Sequence, residues 1–158
     1  MAASEENLER IQRHLGISCI GPDKVNQLRH LSVIKNLADL RTHMKKHAEL
    51  LRPRFDCVLQ HLEKNFTESD LGQWNSPEGG YFISFDTRPG LASAVIKLSA
   101  EAGVKLTPAG ATFPYGKDPD NKNIRLAPSF PSVDEIDAAM AIFCNSVKLA
   151  SVQQRLAE

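Results

Sequence analysis

Apolar residues recur every three or four positions over most of residues 4–66, which is the period of an amphipathic α-helix. Near the start of this region, Ser4 can cap a helix that we expect to end at Gly16. A second, shorter helix is expected to have Pro22 at its first position, where a proline interrupts no helical hydrogen bond. The pattern therefore predicts two helices before residue 35.

The longest periodic segment begins at Asn36, which has Asp39 three residues further on, and continues to Phe66. A proline inside a helix costs about 3 kcal/mol or more, yet the apolar spacing continues unchanged through Pro53. We therefore expect one kinked helix of about 45 Å, long enough to connect two structural units. Its apolar stripe consists of Leu37, Leu40, Met44, Ala48, Leu51, Phe55, Val58, Leu62 and Phe66.

After residue 66 the pattern changes to short alternating segments separated by turn residues. Alternation of apolar and polar residues predicts strands near 81–86, 104–107 and 123–127. One helix is expected between the first two strands, and a last helix is expected to begin at the capping box of Ser132 and Glu135. This order predicts an α+β fold, in which a small sheet has helices packed on one face and is preceded by the long kinked helix.

Arg125 is the charged residue within the third predicted strand. Alternation places Ile124 and Leu126 on one face and the Arg125 side chain on the other, away from the core. A guanidinium held on a strand offers a fixed fork of N–H donors, which suits a carboxylate or a phosphate. The alternative is a structural arginine paired with a nearby acid. The preceding loop, residues 108–122, is long enough to be functional or mobile.

Composition narrows the classes of partner. The 158 residues are 42% apolar, and 19 basic residues balance 19 acidic ones, so nothing indicates binding to nucleic acid. The sequence has no signal peptide pattern and no run of about 18 apolar residues, so we expect no membrane association. Three widely spaced cysteines, Cys19, Cys57 and Cys144, fit reduced packing residues of a cytoplasmic protein.

The common catalytic and metal-binding motifs are not recognisable in the sequence. His43 and His47 are four residues apart, but a zinc site needs a third ligand and His61 is too far along the helix, so we predict no metal site. The glycines at 79–80 and 110–116 do not match a phosphate-binding loop. The residues taken singly indicate a binding protein without an evident catalyst.

The order of several motifs resembles the C-terminal part of a pyridoxal-phosphate-dependent aminotransferase of fold type I, the aspartate-aminotransferase-like group. Residues 77–82 resemble the Pro-x-Gly-Gly-aromatic-Phe start of the small-domain sheet, and residues 101–104 resemble the helix end and strand that follow. Residues 107–113 resemble the family's Pro-Gly-x-x-Phe loop, although the order in this chain is Pro-Ala-Gly. Residues 123–126 resemble the strand whose arginine binds the substrate α-carboxylate, a role that the resemblance gives to Arg125.

The resemblance also implies a domain organisation and a reaction. Residues 1–34 would be a remnant of the large cofactor-binding domain, 35–66 the inter-domain helix and 67–158 the small C-terminal domain. The full-length enzyme, expected to be a homodimer, would transfer an amino group between an α-amino acid and a 2-oxo acid. Residues 21–24 match a stretch that can approach the neighbouring subunit's cofactor.

The cofactor-binding lysine of the family lies upstream of the matching region, so we expect no catalytic residue in this chain. Without that lysine, the truncated chain is expected to bind no pyridoxal phosphate and to be inactive alone, and its exposed apolar surface should favour self-association. Several lysines are excluded from the role because none follows the family's small residues and apolar strand, namely Lys24, Lys35, Lys97, Lys105 and Lys122.

Two other classes of function remain open from sequence. The first is a free-standing domain that binds an amino acid or oxo acid through Arg125 and the loop 108–122, as a binding or regulatory protein. The second is a structural or interaction module built on the long helix.

Overall fold

The computed structural model describes residues 3–157 and places them in helices and one small sheet. By contacts the chain divides into two compact units, Met1–Lys45 and Lys46–Glu158. In order, the elements are α1 (Glu5–Cys19), α2 (Lys24–Val33), α3 (Leu37–Phe66), β1 (Gly72–Trp74), β2 (Ile83–Thr87), α4 (Ala92–Glu101), a short 3-10 turn (Pro114–Gly116), β3 (Asn123–Leu126) and α5 (Val133–Ala157).

The first unit begins with two helices whose ends differ from the sequence prediction. Helix α1 starts after Ser4 as expected but continues through Gly16, because that glycine does not adopt the positive φ that would end the helix. Helix α2 begins at Lys24 rather than at Pro22, and its N-cap is Asp23, whose side chain accepts a hydrogen bond from the Asn26 backbone at 3.0 Å. Both predictions, the end at Gly16 and the start at Pro22, are therefore wrong.

Helix α3 confirms the prediction from the apolar stripe. It is 30 residues long and continues through Pro53. Its start is held by two side-chain hydrogen bonds, since the Asn36 side chain accepts from the Asp39 backbone at 3.0 Å and the Asp39 carboxylate accepts from the Lys35 backbone at 3.1 Å. The first of these bonds satisfies a donor that the first turn of a helix leaves unpaired.

The sheet is antiparallel, with strand order β1-β2-β3. The strand predicted at 104–107 is wrong, since those residues lie outside the sheet and Val104 donates its backbone N–H to Ser99 at the end of α4. The remaining strand of the sheet is β1, which the sequence pattern did not predict. A side chain at Gly72 would collide with the Phe85 ring, so glycine permits this short strand to approach β2 closely.

The core lies between one face of the sheet and helices α3, α4 and α5, as predicted for an α+β fold. The Phe85 ring on β2 lies 5.5 Å from Phe66 of α3 and 5.1 Å from Phe143 of α5, measured between ring centres. Burying one such ring contributes about 1.5–3 kcal/mol. The largest fully buried side chains are Phe66, Phe85, Phe143, Leu62, Ile83, Ile124, Val58, Val95 and Val147.

Helices α1 and α2 of the first unit have no apolar core of their own. Neither α1 nor α2, every residue of which is described, contains a buried side chain. Large apolar residues there, such as Ile17, Ile20 and Leu28, are exposed. Across residues 3–157, no helix combines the length and the apolar character needed to cross a membrane.

Candidate functional site

Arg125 lies on β3 between two buried neighbours. Ile124 and Leu126 face the core, while Arg125 is half-buried on the opposite face of the sheet, as alternation predicted. Across the ladder, Arg125 is directly opposite Ser84 of β2. The strand therefore fixes the root of the side chain on the outer face of the sheet.

The guanidinium is held in place by an aromatic ring. Its central carbon lies 4.4 Å from the centre of the Phe82 ring, within the usual range of a cation–π contact. Phe82 immediately precedes β2 and is 47% exposed. Stacking on the ring leaves the N–H groups at the guanidinium edge available for a planar anion.

Arg125 has no anionic partner in the part of the chain that the structure describes. Its Nε is buried and donates to no hydrogen-bond acceptor, and no carboxylate of residues 3–157 forms an ion pair with it. An unpaired buried donor costs about 1–3 kcal/mol, and more when it is charged. The structural pairing of Arg125 with a nearby acid is therefore absent among the described residues.

A polar network lies beside Arg125 on the same face of the sheet. The Asn123 side chain donates to Asp86 at 2.6 Å and to Ser84 at 2.9 Å, and accepts from Thr112 at 2.8 Å. Because Asn123 and Arg125 are two residues apart on β3, they share one face. The network connects β2, β3 and the loop before β3, and from sequence only the two-residue spacing could have indicated it.

The loop 108–122 is anchored by the Asp118 carboxylate. That carboxylate accepts backbone hydrogen bonds from Asp120 at 3.1 Å and from Lys122 and Asn123 at 2.8 Å each. Burial opposes its charge, but the backbone donors of Asn123, Lys122 and Asp120 outweigh that effect, so the pKa of Asp118 is lowered. These bonds fix the end of the loop at the start of β3.

A cleft of about 160 Å³ lies next to Arg125, between α3, α5 and the segment that follows α4. Residues 104–107, predicted to be a strand, line this cleft instead. Most other lining residues are apolar, including Val58 and Met140. The charged residues of the lining are Arg125, Lys105 and Glu135.

The structure gives the surroundings of the five lysines that their sequence context excluded as cofactor-binding residues. A lysine that forms an imine needs a desolvated or electrostatically activated amine. Lys24, Lys35, Lys97 and Lys105 are exposed. Lys122 lies 3.8 Å from Asp86 and 3.6 Å from Asp120, so its amine is ion-paired. The predictions about catalytic, cofactor-binding and metal-binding residues stay predictions.

Comparison with known proteins places the whole chain in one family. The family model described as aspartate amino-transferase matches residues 1–158. The aspartate aminotransferase of Corynebacterium glutamicum is 46% identical over 150 residues, which are 95% of this chain and 35% of that protein. A protein of Mycolicibacterium smegmatis is 41% identical over 158 residues, all of this chain and 37% of its own. The chain thus spans little more than a third of these curated relatives.

Solved structures agree with this match. An aspartate transaminase from Corynebacterium glutamicum is 45% identical with a TM-score of 0.85, covering 96% of this chain and 36% of that one. LysN, an α-aminoadipate aminotransferase from Thermus thermophilus complexed with N-(5'-phosphopyridoxyl)-L-leucine, superposes with a TM-score of 0.74 at 16% identity, over 96% of this chain and 38% of its own. The second match shows the fold alone.

Proposed function

The chain belongs to the aspartate aminotransferase family, and from this premise we propose that it is the C-terminal part of a pyridoxal-phosphate-dependent aminotransferase. The complete enzyme would transfer an amino group from an α-amino acid to a 2-oxo acid. This chain would contribute the small domain and its carboxylate-binding arginine.

Arg125 carries the proposal, because it is a fixed guanidinium without an internal partner among the described residues. It would bind the substrate α-carboxylate through two parallel N–H···O bonds, a contact that contributes roughly 1.5–3 kcal/mol. Binding at this end of the substrate orients the Cα–H bond toward the reacting groups of the enzyme. Phe82 would hold the guanidinium plane during this step.

The cofactor would be held by residues outside this chain. Pyridoxal phosphate, when bound, acts as the electron sink of amino transfer. The exposure of Lys24, Lys35, Lys97 and Lys105 and the ion pairs of Lys122 support this proposal. We therefore propose that the chain by itself binds substrate carboxylates but does not transaminate.

The relatives suggest which substrate to test first. The Corynebacterium glutamicum relative is an aspartate aminotransferase, and aspartate carries a second carboxylate beyond the one assigned to Arg125. We propose aspartate as the amino donor. As in the family resemblance, the complete enzyme is proposed to be a homodimer.

Amino transfer by the longer protein that contains this chain tests the proposal. With aspartate and a 2-oxo acid acceptor, we expect turnover that depends on added pyridoxal phosphate, and no turnover by residues 1–158 alone. A stable borohydride-trapped adduct of pyridoxal phosphate on one lysine of this chain would contradict the assignment. So would a longer protein that binds aspartate but transfers no amino group, which would favour a binding or regulatory domain.

A further inference from the structure

Three side chains with metal-ligating atoms meet between α3 and α5, within the second compact unit. Cys57 and His61 are one helical turn apart on α3, and Asp137 lies near the start of α5. Their ligand atoms, one sulfur, one ring nitrogen and one carboxylate oxygen, all lie within 4.8 Å of one another. None of the three lines the cleft beside Arg125.

We propose that Cys57, His61 and Asp137 form a binding site for a divalent transition-metal cation, with zinc as the best match. Thiolate, imidazole and carboxylate are the ligands that zinc uses in proteins, at about 2.3, 2.0–2.1 and 2.0–2.2 Å respectively. Three protein ligands leave the fourth tetrahedral position to water, the arrangement found in open zinc sites. The magnesium and calcium ions prefer sites made of oxygen ligands alone, so this set selects against them.

The backbone already brings the ligands close to the required spacing. With those bond lengths, ligand atoms around a tetrahedral zinc are about 3.3–3.8 Å apart, and the observed separations, none above 4.8 Å, lie within about 1 Å of this spacing. His61 and Asp137 are in contact at 2.8 Å between the ring nitrogen Nε2 and the carboxylate. Two ligands at positions i and i+4 of a helix point to the same side, as in known helical zinc sites.

The surroundings suit a cation bound from solvent. The His61 side chain is 20% exposed, so water screens its interactions only in part, whereas Asp137 is 70% exposed and leaves a route of access. The bound ion would connect α3 to α5. Because the site exists only when both helices are in place, metal binding would stabilise the folded unit.

The environment of Cys57 argues against a nucleophilic role for this Cys-His-Asp set. Burial, and secondarily the charge of Asp137, raise the pKa of the Cys57 thiol above its ordinary value. A nucleophilic cysteine needs a lowered pKa, because the thiolate is the reactive form. A bound divalent cation would instead favour the thiolate form of Cys57, since it attracts both the thiolate and the Asp137 carboxylate.

Metal binding requires simple proton movements and no redox partner. The Cys57 thiol releases its proton to solvent as the sulfur–metal bond forms. The Nε2 atom of His61 binds the metal through its lone pair, so a proton on Nε2 passes to Nδ1 or to solvent as the bond forms. The hydrogen bond between His61 and Asp137 is replaced by two bonds to the same ion.

Cobalt(II) is the probe that tests the site, because it replaces zinc and absorbs visible light. On adding cobalt chloride to the full 158-residue chain, we expect visible bands typical of tetrahedral coordination and a near-ultraviolet sulfur-to-metal band. Cys57→Ser should abolish the sulfur band. His61→Gln and Asp137→Asn should weaken affinity by at least the roughly 10- to 100-fold loss that outer-shell substitutions cause.

Two matched variants control for other sites. Cys19→Ser removes an exposed cysteine and His47→Gln removes a histidine of the His43–His47 pair, and both should leave the cobalt spectrum unchanged. A spectrum without a sulfur band, or one lost in His47→Gln, would overturn the proposal.

A second measurement needs no substitution at the site. In the unmodified chain, zinc should slow alkylation of Cys57 and leave that of the exposed Cys19 unchanged, as measured by mass spectrometry of the peptides. Equal alkylation rates of Cys57 with and without zinc would also overturn the proposal.

Discussion

Residues on both faces of the sheet fix the position of the Arg125 side chain. Its neighbours Ile124 and Leu126 are anchored in the core, and the Phe82 ring supports its guanidinium from outside. The position of the charge is thus fixed by packing rather than by an ion pair in the described chain. A site fixed in this way loses little entropy when it binds an anion.

Replacing Phe82 by leucine should weaken carboxylate binding modestly. Leucine keeps an apolar contact but removes the π face, and such a contact contributes about 0.5–1 kcal/mol at an exposed position. We expect roughly a two- to fivefold rise in KM of the complete enzyme for its amino donor. Tyr81→Leu, at the exposed neighbouring aromatic residue, is the matched control. An unchanged KM for Phe82→Leu would show that the ring does not position Arg125.

The pH dependence of the loop before β3 follows from Asp118. Its pKa is lowered in the folded chain, so its hydrogen bonds stabilise the fold above the unfolded pKa and are lost as pH falls through the folded value. The amide resonances of Lys122 and Asn123 should therefore titrate with a midpoint below the ordinary pKa of 3.8. A midpoint above that value, measured by NMR, would contradict the assignment.

At the scale of the element, the capping box of α5 is confirmed. The Ser132 hydroxyl accepts from the Glu135 backbone at 3.3 Å, and the Glu135 carboxylate accepts from the Ser132 backbone and hydroxyl at 2.8 Å each. These bonds, the backbone one first, lower the pKa of Glu135. The helix that begins at this box supplies Phe143 and Val147 to the core.

Ser132→Ala should therefore destabilise the second unit by about 1 kcal/mol, the usual cost of losing an N-cap. Ser4→Ala is a matched control, because Ser4 precedes α1 without a side-chain capping bond. Urea unfolding of both variants measures the difference. Equal effects of the two substitutions would mean that the capping bonds of Ser132 do not contribute.

Sequence patterns predicted the long elements better than the short ones. The apolar stripe of α3 and the capping box of α5 depend on residues only a few positions apart, so a short stretch of sequence is enough to predict them. Residues 104–107 alternate as a strand should, but strand pairing depends on distant partners, and β1 occupies that place in the sheet. The cluster of Cys57, His61 and Asp137 joins two helices that are far apart in the chain, which no local pattern shows.

At the scale of the molecule, the two compact units differ in how they are stabilised. The second unit has a continuous apolar core, whereas α1 and α2 of the first bury no side chain. The division falls within α3, while the three predicted domains, 1–34, 35–66 and 67–158, remain an expectation from the family. The exposed apolar residues of the first unit are consistent with the predicted self-association.

The two units should differ in the hydrogen-exchange protection of their backbone amides. Amides of α1 and α2 should exchange by local opening that costs little free energy, whereas amides of α5 should require opening of the core. Mass spectrometry of peptides from the full chain would measure this. Protection of Glu5–Cys19 equal to that of Val133–Ala157 would contradict the description of the first unit.

The proposed carboxylate role of Arg125 is tested most directly by Arg125→Lys in the complete enzyme. Lysine keeps the charge but not the planar fork, so kcat/KM for the amino donor should fall roughly 10- to 100-fold. Arg155→Lys, at a surface arginine 3.2 Å from Asp70, should leave kcat/KM unchanged. A near wild-type kcat/KM for Arg125→Lys would contradict the role assigned to this residue.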